Sequence, residues 1–485
     1  MQALQKYSQN YEEKKIIFVQ LKNIPQPRGL PVFGNLFQMP RQALVQHFTK
    51  LAPQFDGIFD INFVGYLVSF AYSPAIVSEL TDADRFRKLV GPPLSMLRAL
   101  AGDGLFTAHT DEPNWGSAHR VLVAGFGQRA MRSYFDAMLD VSNQLVTKWQ
   151  ASQGQTIDVT ADMTRLTFDT IALCGFGYRF RSFDSDQPHP FIGAMNNTLT
   201  QTMLRLTRLR IPSLKARAID KQVEADILLM NQLVDQVIVH RRGQMQAAQS
   251  DQPQTKARDL LDLMLRSVDP KTGEPLSDLN MRYQVITFLI AGHETTSGLL
   301  SFALFYLLKD PDLMRQAVDE VDRVLGIDQT PKFDDLIELD VIDRLLKETL
   351  RLWPTAPVYS VAPFKDTTIA GKYKVKKNHR INILLPGLHR AASVWDNPER
   401  FDIDRFLPER EAMIPPHAYK PFGAGERACI GRQFAIAEAK LAIALILQKF
   451  TLQDHTNYQL AINETLTLKP SQFCIRANPR NHPRK

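Results

Sequence analysis

The sequence predicts a mainly α-helical fold with small β-sheets. Long stretches whose apolar residues recur every three to four positions predict the helices, and two short patches rich in β-branched and aromatic residues, each turning at a glycine, predict the sheets. The chain shows no internal repeat, and the mixture is too irregular for a simple helical bundle.

Pro25, Pro27 and Pro31, with Gly29 and Gly34, predict an extended, turn-rich opening segment. Residues 58–72 read as a strand pair turning near Gly65. Helices are expected over 131–149, 223–242, 279–308, 312–325 and 432–449. A polar loop is expected over 246–256, a second β patch over 367–385 around Gly371-Lys372, and a last strand over 465–468.

With 485 residues, 44% of them hydrophobic and 22% charged, the chain buries a core large enough to enclose a cofactor. The net charge of +7 suits an ordinary soluble surface or a basic face for an acidic partner. No Lys/Arg block is interleaved with aromatics, so nucleic acid is not an expected partner. Nor is a membrane, since the first thirty residues hold no apolar run of signal or spanning length. Cys174, Cys429 and Cys474 cannot all pair, which fits a reducing, cytoplasmic setting.

The sharpest chemical signal is Phe422-Gly423-Ala424-Gly425-Glu426-Arg427-Ala428-Cys429-Ile430-Gly431. A cysteine in an apolar stretch is ordinarily a small buried hydrophobe, and Cys174 and Cys474 are read that way. Around Cys429, glycines permit positive φ and let backbone amides turn toward one sulfur. A helix starting after Gly431 adds to a setting that favours thiolate. Gly431 lets that helix lie close to a flat group, and Arg427 can neutralise a carboxylate.

This loop resembles that of the cytochrome P-450 family, Phe-x-x-Gly-x-Arg-x-Cys-x-Gly, at Phe422, Gly425, Arg427, Cys429 and Gly431. At roughly 5% per residue type, a chance match in the chain is on the order of one in ten thousand. The resemblance implies the cytochrome P-450 fold, haem b (iron protoporphyrin IX) as cofactor, and Cys429 as the ligand that activates its iron.

Two further motifs stand in the family's order. Glu348 and Arg351 sit three apart, the spacing of a simple helical ion pair. The resemblance makes them a buried pair locked to Arg405, structural in role; Ile403 stands where the family usually has Pro. Ala291-Gly292-His293-Glu294-Thr295-Thr296 interrupts an apolar helix, where a local kink is expected. By resemblance Ala291 borders an oxygen-binding groove, and Glu294 and Thr295 form an acid–alcohol pair that delivers protons to the reacting oxygen. Trp115, His119 and Lys88 are expected to reach the haem propionates.

The likeness extends over essentially the whole chain, in particular to the haem domain of bacterial self-sufficient fatty-acid hydroxylases, where an FAD- and FMN-carrying, NADPH-dependent reductase follows on the same polypeptide. It implies Phe106 over the haem, Leu94, Ala356, Val358 and Leu466 lining the cavity, and Tyr66 and Phe70 at its entrance. One departure stands out: those hydroxylases carry an Arg where Tyr66 stands, and from Leu51 to Asp84 there is no Lys or Arg. A carboxylate there loses a partner typically worth roughly 1–3 kcal/mol. The expected substrate is therefore a long or bulky apolar molecule, with esters, terpenes, aromatics and shorter acids as alternatives to an anchored fatty acid.

Residues 1–485 are expected to form one haem-binding monooxygenase domain, cut from a longer fused protein or served by a separate reductase, since no Gly-rich reductase fingerprint occurs. The expected reaction inserts one atom of O2 into a C–H bond. A peroxide-driven peroxygenase or isomerase, and a non-enzymatic haem sensor, are the alternatives; the resemblance places the Glu294–Thr295 pair in oxygen-using members.

Overall fold

The structure is a computed structural model that describes residues 21–40, 42–185, 187, 189–207, 214–248 and 257–480. Its helices of eight residues or more are α1 (Leu44–Leu51), α2 (Pro92–Ala101), α3 (Pro113–Leu122), α4 (Gln128–Ala151), α5 (Val159–Phe176), α6 (Pro190–Thr207), α7 (Leu214–Ala248), α8 (Asp278–Lys309), α9 (Pro311–Leu325), α10 (Asp340–Leu352) and α11 (Arg432–Lys449). All five helices expected from periodicity are present, α4 and α7 longer than expected by a turn or more. The loop expected over 246–256 is partly corrected, because α7 continues through Ala248; residues 249–256 lie outside the described ones. Among the described residues no helix is long and apolar enough to cross a membrane.

Helix α8 is buried nearly all round at its centre, so its sequence is apolar on every face. Ser277 caps its first turn by accepting the Asn280 amide. It packs most closely against α5, where Gly292 leaves room for Ile171: a Cβ on Gly292 would meet Ile171 Cγ1 at 2.9 Å. α8 runs as one unbroken helix from Asp278 to Lys309.

The strands are β1 (Ile58–Phe63), β2 (Tyr66–Ala71), β3 (Phe86–Lys88), β4 (Ile157–Asp158), β5 (Val358–Pro363), β6 (Thr367–Ile369), β7 (Tyr373–Val375), β8 (Ile381–Leu384), β9 (Phe450–Gln453), β10 (Ile462–Glu464), β11 (Leu468–Pro470) and β12 (Cys474–Pro479). Five of them form a sheet in the order β1-β2-β8-β5-β3. The β1–β2 hairpin turns at Val64 and Gly65, both at positive φ, as a tight two-residue turn requires. The strand expected over 465–468 begins only at Leu468, and β12 lies beyond it.

Two apolar clusters result. The larger joins the helices, while the smaller packs Phe48 of α1 against the five-stranded sheet. The expected buried ion pair also forms. Arg351 forks onto Glu348 at 2.6 and 2.8 Å, and also donates to the carbonyls of His389, Pro398 and Arg400. Arg405 approaches Glu348 at 3.5 Å and donates to the carbonyls of Asp396 and Asn397. Ile403 opens a 3-10 turn that delivers Arg405.

Candidate active site

The loop before α11 is built as its glycines predict. Gly423 and Gly425 adopt φ of 74° and 66°, values open to glycine at little cost. The Cys429 amide donates to Phe422 O at 2.8 Å, closing the loop on itself. Protein surrounds Cys429 on nearly every side, yet the residue keeps accessible surface. Burial pushes its pKa up, opposed by the Gly431 N–H and the charge of Arg432. The expected crowd of amide donors thus reduces to one, with a cation behind it. Gly431 itself begins α11 at negative φ and lies against Phe126 and Cys429.

A second cluster collects cations. Lys88, at the end of β3, donates from Nζ to Phe106 O at 2.5 Å. Burial and the neighbouring Arg427 pull its pKa down to about 7. Arg427 stacks 3.9 Å over the Trp115 ring and is itself lowered to about 10 by burial. His119 stacks on Trp115, and burial lowers it too. Cations that cost one another their charge are the complement of a dianion. The expected propionate partners Lys88, Trp115, His119 and Arg427 therefore converge on one locus.

The third cluster lies on α8. Thr295 turns its hydroxyl back to Ala291 O at 2.9 Å. Glu294 points elsewhere, into β11, where Lys469 Nζ lies 3.0 Å from Oε1 and the Thr467 hydroxyl donates to Oε2 at 3.0 Å. His293 Nε2 is also 3.0 Å from Oε1. Burial would raise this carboxyl, but Lys469 and His293 overcome it and hold it well below the usual range. Sequence reading missed Lys469 and Thr467; their one signal was a lysine inside an otherwise apolar, β-rich stretch.

Around these clusters, Leu94, Phe106, Phe422 and Leu466 pack half-buried on the larger core, and Val358 on the smaller. Ala356 is exposed although its flanking residues Thr355 and Pro357 are buried. Gly102 ends α2 at φ 46°, pressed against the Tyr283 ring, and so sets the loop that presents Phe106. The hairpin bearing Leu466 is clasped to α1 by Glu464, which accepts the Val45 amide at 2.7 Å and the Gln46 amide at 3.3 Å. Tyr66 is 57% exposed, as an entrance residue should be. Phe70 is a correction: it is 4% exposed, stacked on Phe59 and tilted against Phe48 in the smaller core, because Phe48 of α1 packs over its ring.

The residues fit haem. A cysteine that keeps accessible surface on a glycine-built loop is a metal ligand in form, and the Lys88–Arg427 locus suits two propionates.

The comparisons with known proteins agree. The sequence pattern of the family described as Cytochrome P450 matches residues 24–476. A bifunctional cytochrome P450/NADPH–P450 reductase of Bacillus cereus is 47% identical over 94% of this chain and 42% of its own length. A self-sufficient cytochrome P450 monooxygenase of Phanerodontia chrysosporium is 42% identical over 94% of this chain and 43% of its own. The crystal structure of the cytochrome P450DA heme domain superposes with a TM-score of 0.90 at 49% identity, covering 95% of this chain and 98% of that one. The chain thus spans less than half the length of the curated relatives it matches. Cys429 on its loop, the Glu348–Arg351–Arg405 lock and the likeness across nearly all the chain agree, and the chain belongs to the cytochrome P450 family.

Proposed function

We propose that this chain is the haem domain of a monooxygenase that inserts one oxygen atom from O2 into a C–H bond of a long apolar substrate, with electrons from NADPH passing through FAD and FMN of a reductase, fused or separate. The carrying observation is Cys429, set on the glycine-built loop before α11, surrounded by protein while the residue keeps accessible surface.

When bound, haem supplies an iron centre that activates O2 by one-electron steps. The chain does the rest. Cys429 holds that group, with the Gly431 N–H and Arg432 easing the thiolate. Lys88, His119, Trp115 and Arg427 hold its acidic edge. The Thr295 hydroxyl, which among the described residues bonds along its own helix to Ala291 O, can re-aim as a proton donor. Glu294, anchored by Lys469 and Thr467, is a fixed anion that keeps the proton path polar. Leu94, Phe106, Ala356, Val358 and Leu466 exclude water and set which carbon is presented.

Behind the Cys429 loop lies a cleft of about 550 Å³ lined by Phe422, Gly423, Lys420 and Arg432 among others. Lys347 and Lys440 there are already paired with Asp343 and Glu411. Among the described residues Lys420 and Arg432 have no carboxylate within ion-pair distance, and they suit an acidic flavin domain docking behind the thiolate. Three free cysteines fit a cytoplasmic setting.

The test is spectroscopic. Reduced protein with carbon monoxide is expected to show the thiolate-type Soret band, and Cys429→Ser to lose it. A Cys429→Ser protein that keeps the band would refute the assignment.

A further inference from the structure

The hairpin of β1 and β2 carries no cation of its own, but the sheet brings one to it from 310 residues further along the chain. Arg380 stands just before β8, and its carbonyl accepts the Ser69 amide of β2 at 3.0 Å. β2 and β8 run parallel, with Phe70 opposite Asn382. On the other side of β8, Asn382 faces Ser360 of β5, and Leu384 faces Val358. Alternation puts Arg380, Asn382, Ser360 and Val358 in one row on one face. The row begins beside the reaction site, because the Thr355 carbonyl just before β5 accepts the amide of Leu468 on β11, the strand that grips Glu294. It ends at Arg380, four residues or roughly 13 Å along β8 from Leu384.

The guanidinium there is short of partners. Among the described residues its one side-chain hydrogen bond runs from Nε to Asn382 Oδ1 at 3.1 Å, and no carboxylate lies within ion-pair distance. Other half-buried arginines of this protein do have carboxylates: Arg120 pairs with Asp269, Arg282 with Asp235 and Arg480 with Asp322. Nη2 lies over Gly91, where a Cβ would come within 2.6 Å, so the guanidinium abuts the start of α2, one turn before Leu94. Burial lowers the Arg380 pKa, and the Tyr66 phenol is the one group that opposes this. Arg427, the other arginine held low by burial without a carboxylate at ion-pair distance, faces the proposed propionate locus. A desolvated cation with free forked donors matches a carboxylate.

We propose that Arg380 is the specificity-determining anchor of the substrate channel, binding the carboxylate of a long-chain acid whose alkyl part lies along Val358 toward Cys429, with the Tyr66 hydroxyl at its rim. This rests on the monooxygenase reading and replaces the expectation of a substrate without an anchored acid. The cation has moved from the hairpin to the neighbouring strand.

The experiment titrates the haem-loaded protein with dodecanoate and with methyl dodecanoate, following displacement of the iron-bound water. Arg380→Gln is expected to lower the acid-to-ester affinity ratio about tenfold or more, and Arg380→Lys to restore part of it. A ratio that is the same in the parent and in Arg380→Gln overturns the proposal. Should Arg380→Gln not fold, the parent alone decides: dodecanoate must bind more tightly than dodecyltrimethylammonium, and equal or weaker binding of the anion overturns the anchor. A parent that keeps the thiolate-type carbon monoxide band but responds to none of these probes, or responds to the ester with no preference for the acid, removes the anchor alone; loss of that band removes the monooxygenase reading and the anchor with it.

Discussion

The Lys469 ammonium lies 3.0 Å from Glu294 Oε1, so the carboxylate beside Thr295 is tied across to β11. Both side chains are largely buried, at 11% and 14% exposure. Lys469→Met should leave Glu294 with its burial cost and too little compensation, lowering stability by ~3–5 kcal/mol at neutral pH. In the parent, Glu294 is held below its unfolded value, so its contribution is complete above about pH 4.5 and is lost as pH falls further. In the variant its pKa moves upward, and acid relieves the penalty. Urea unfolding should show the gap narrowing from about pH 7 to about pH 5.

Lys88 titrates at about 7 because burial and Arg427 work against its charge. A dianion favours the charged form, so haem uptake must also take up a proton once pH exceeds that value. Haem titrated into haem-free protein, followed by absorbance, should bind progressively more weakly above about pH 7. Lys88→Met should bind about tenfold more weakly at about pH 6 and lose most of the pH dependence. A variant with the parent's pH slope would remove Lys88 from the propionate locus.

Arg351 satisfies Glu348 and three carbonyls at no exposure. Arg351→Leu strands the three carbonyls, leaves Glu348 with the Asp402 N–H and Arg405, and should cost ~3–5 kcal/mol. Arg351→Lys should recover little, because an ammonium cannot reproduce the fork. Denaturant midpoints of the two variants check both statements.

Glu438 on α11 is 1% exposed, neither oxygen has an ion-pair partner among the described residues, and burial, opposed by the Thr170 hydroxyl, holds its pKa well above the carboxylate range. Its folded pKa exceeds the unfolded one, so ionisation of the unfolded chain subtracts stability as pH rises above about 4.5. Glu438→Gln should therefore unfold at higher urea than the parent at about pH 8, with the two curves converging near pH 4.5. A constant difference across that range would show that Glu438 ionises normally in the fold.

The sequence by itself determined the helices and the thiolate loop. Periodicity is a local property, and α11 runs from Arg432 to Lys449 as its pattern predicts. Gly423 and Gly425 announced their positive φ because few other residues accept it. The Glu348–Arg351 pair was legible for the same reason, three residues apart on one helix turn.

Only the tertiary structure decided what lies across from what. Lys469 meets Glu294 over 175 residues, Glu464 meets Val45 over 419, and Arg380 comes beside Tyr66 because β2 and β8 are neighbours in a sheet. Phe70 left the entrance for the core because Phe48 of α1 packs over its ring. Charge and burial act through space, and the distance between two residues in space is set by strand order and helix packing, which no short stretch of sequence encodes.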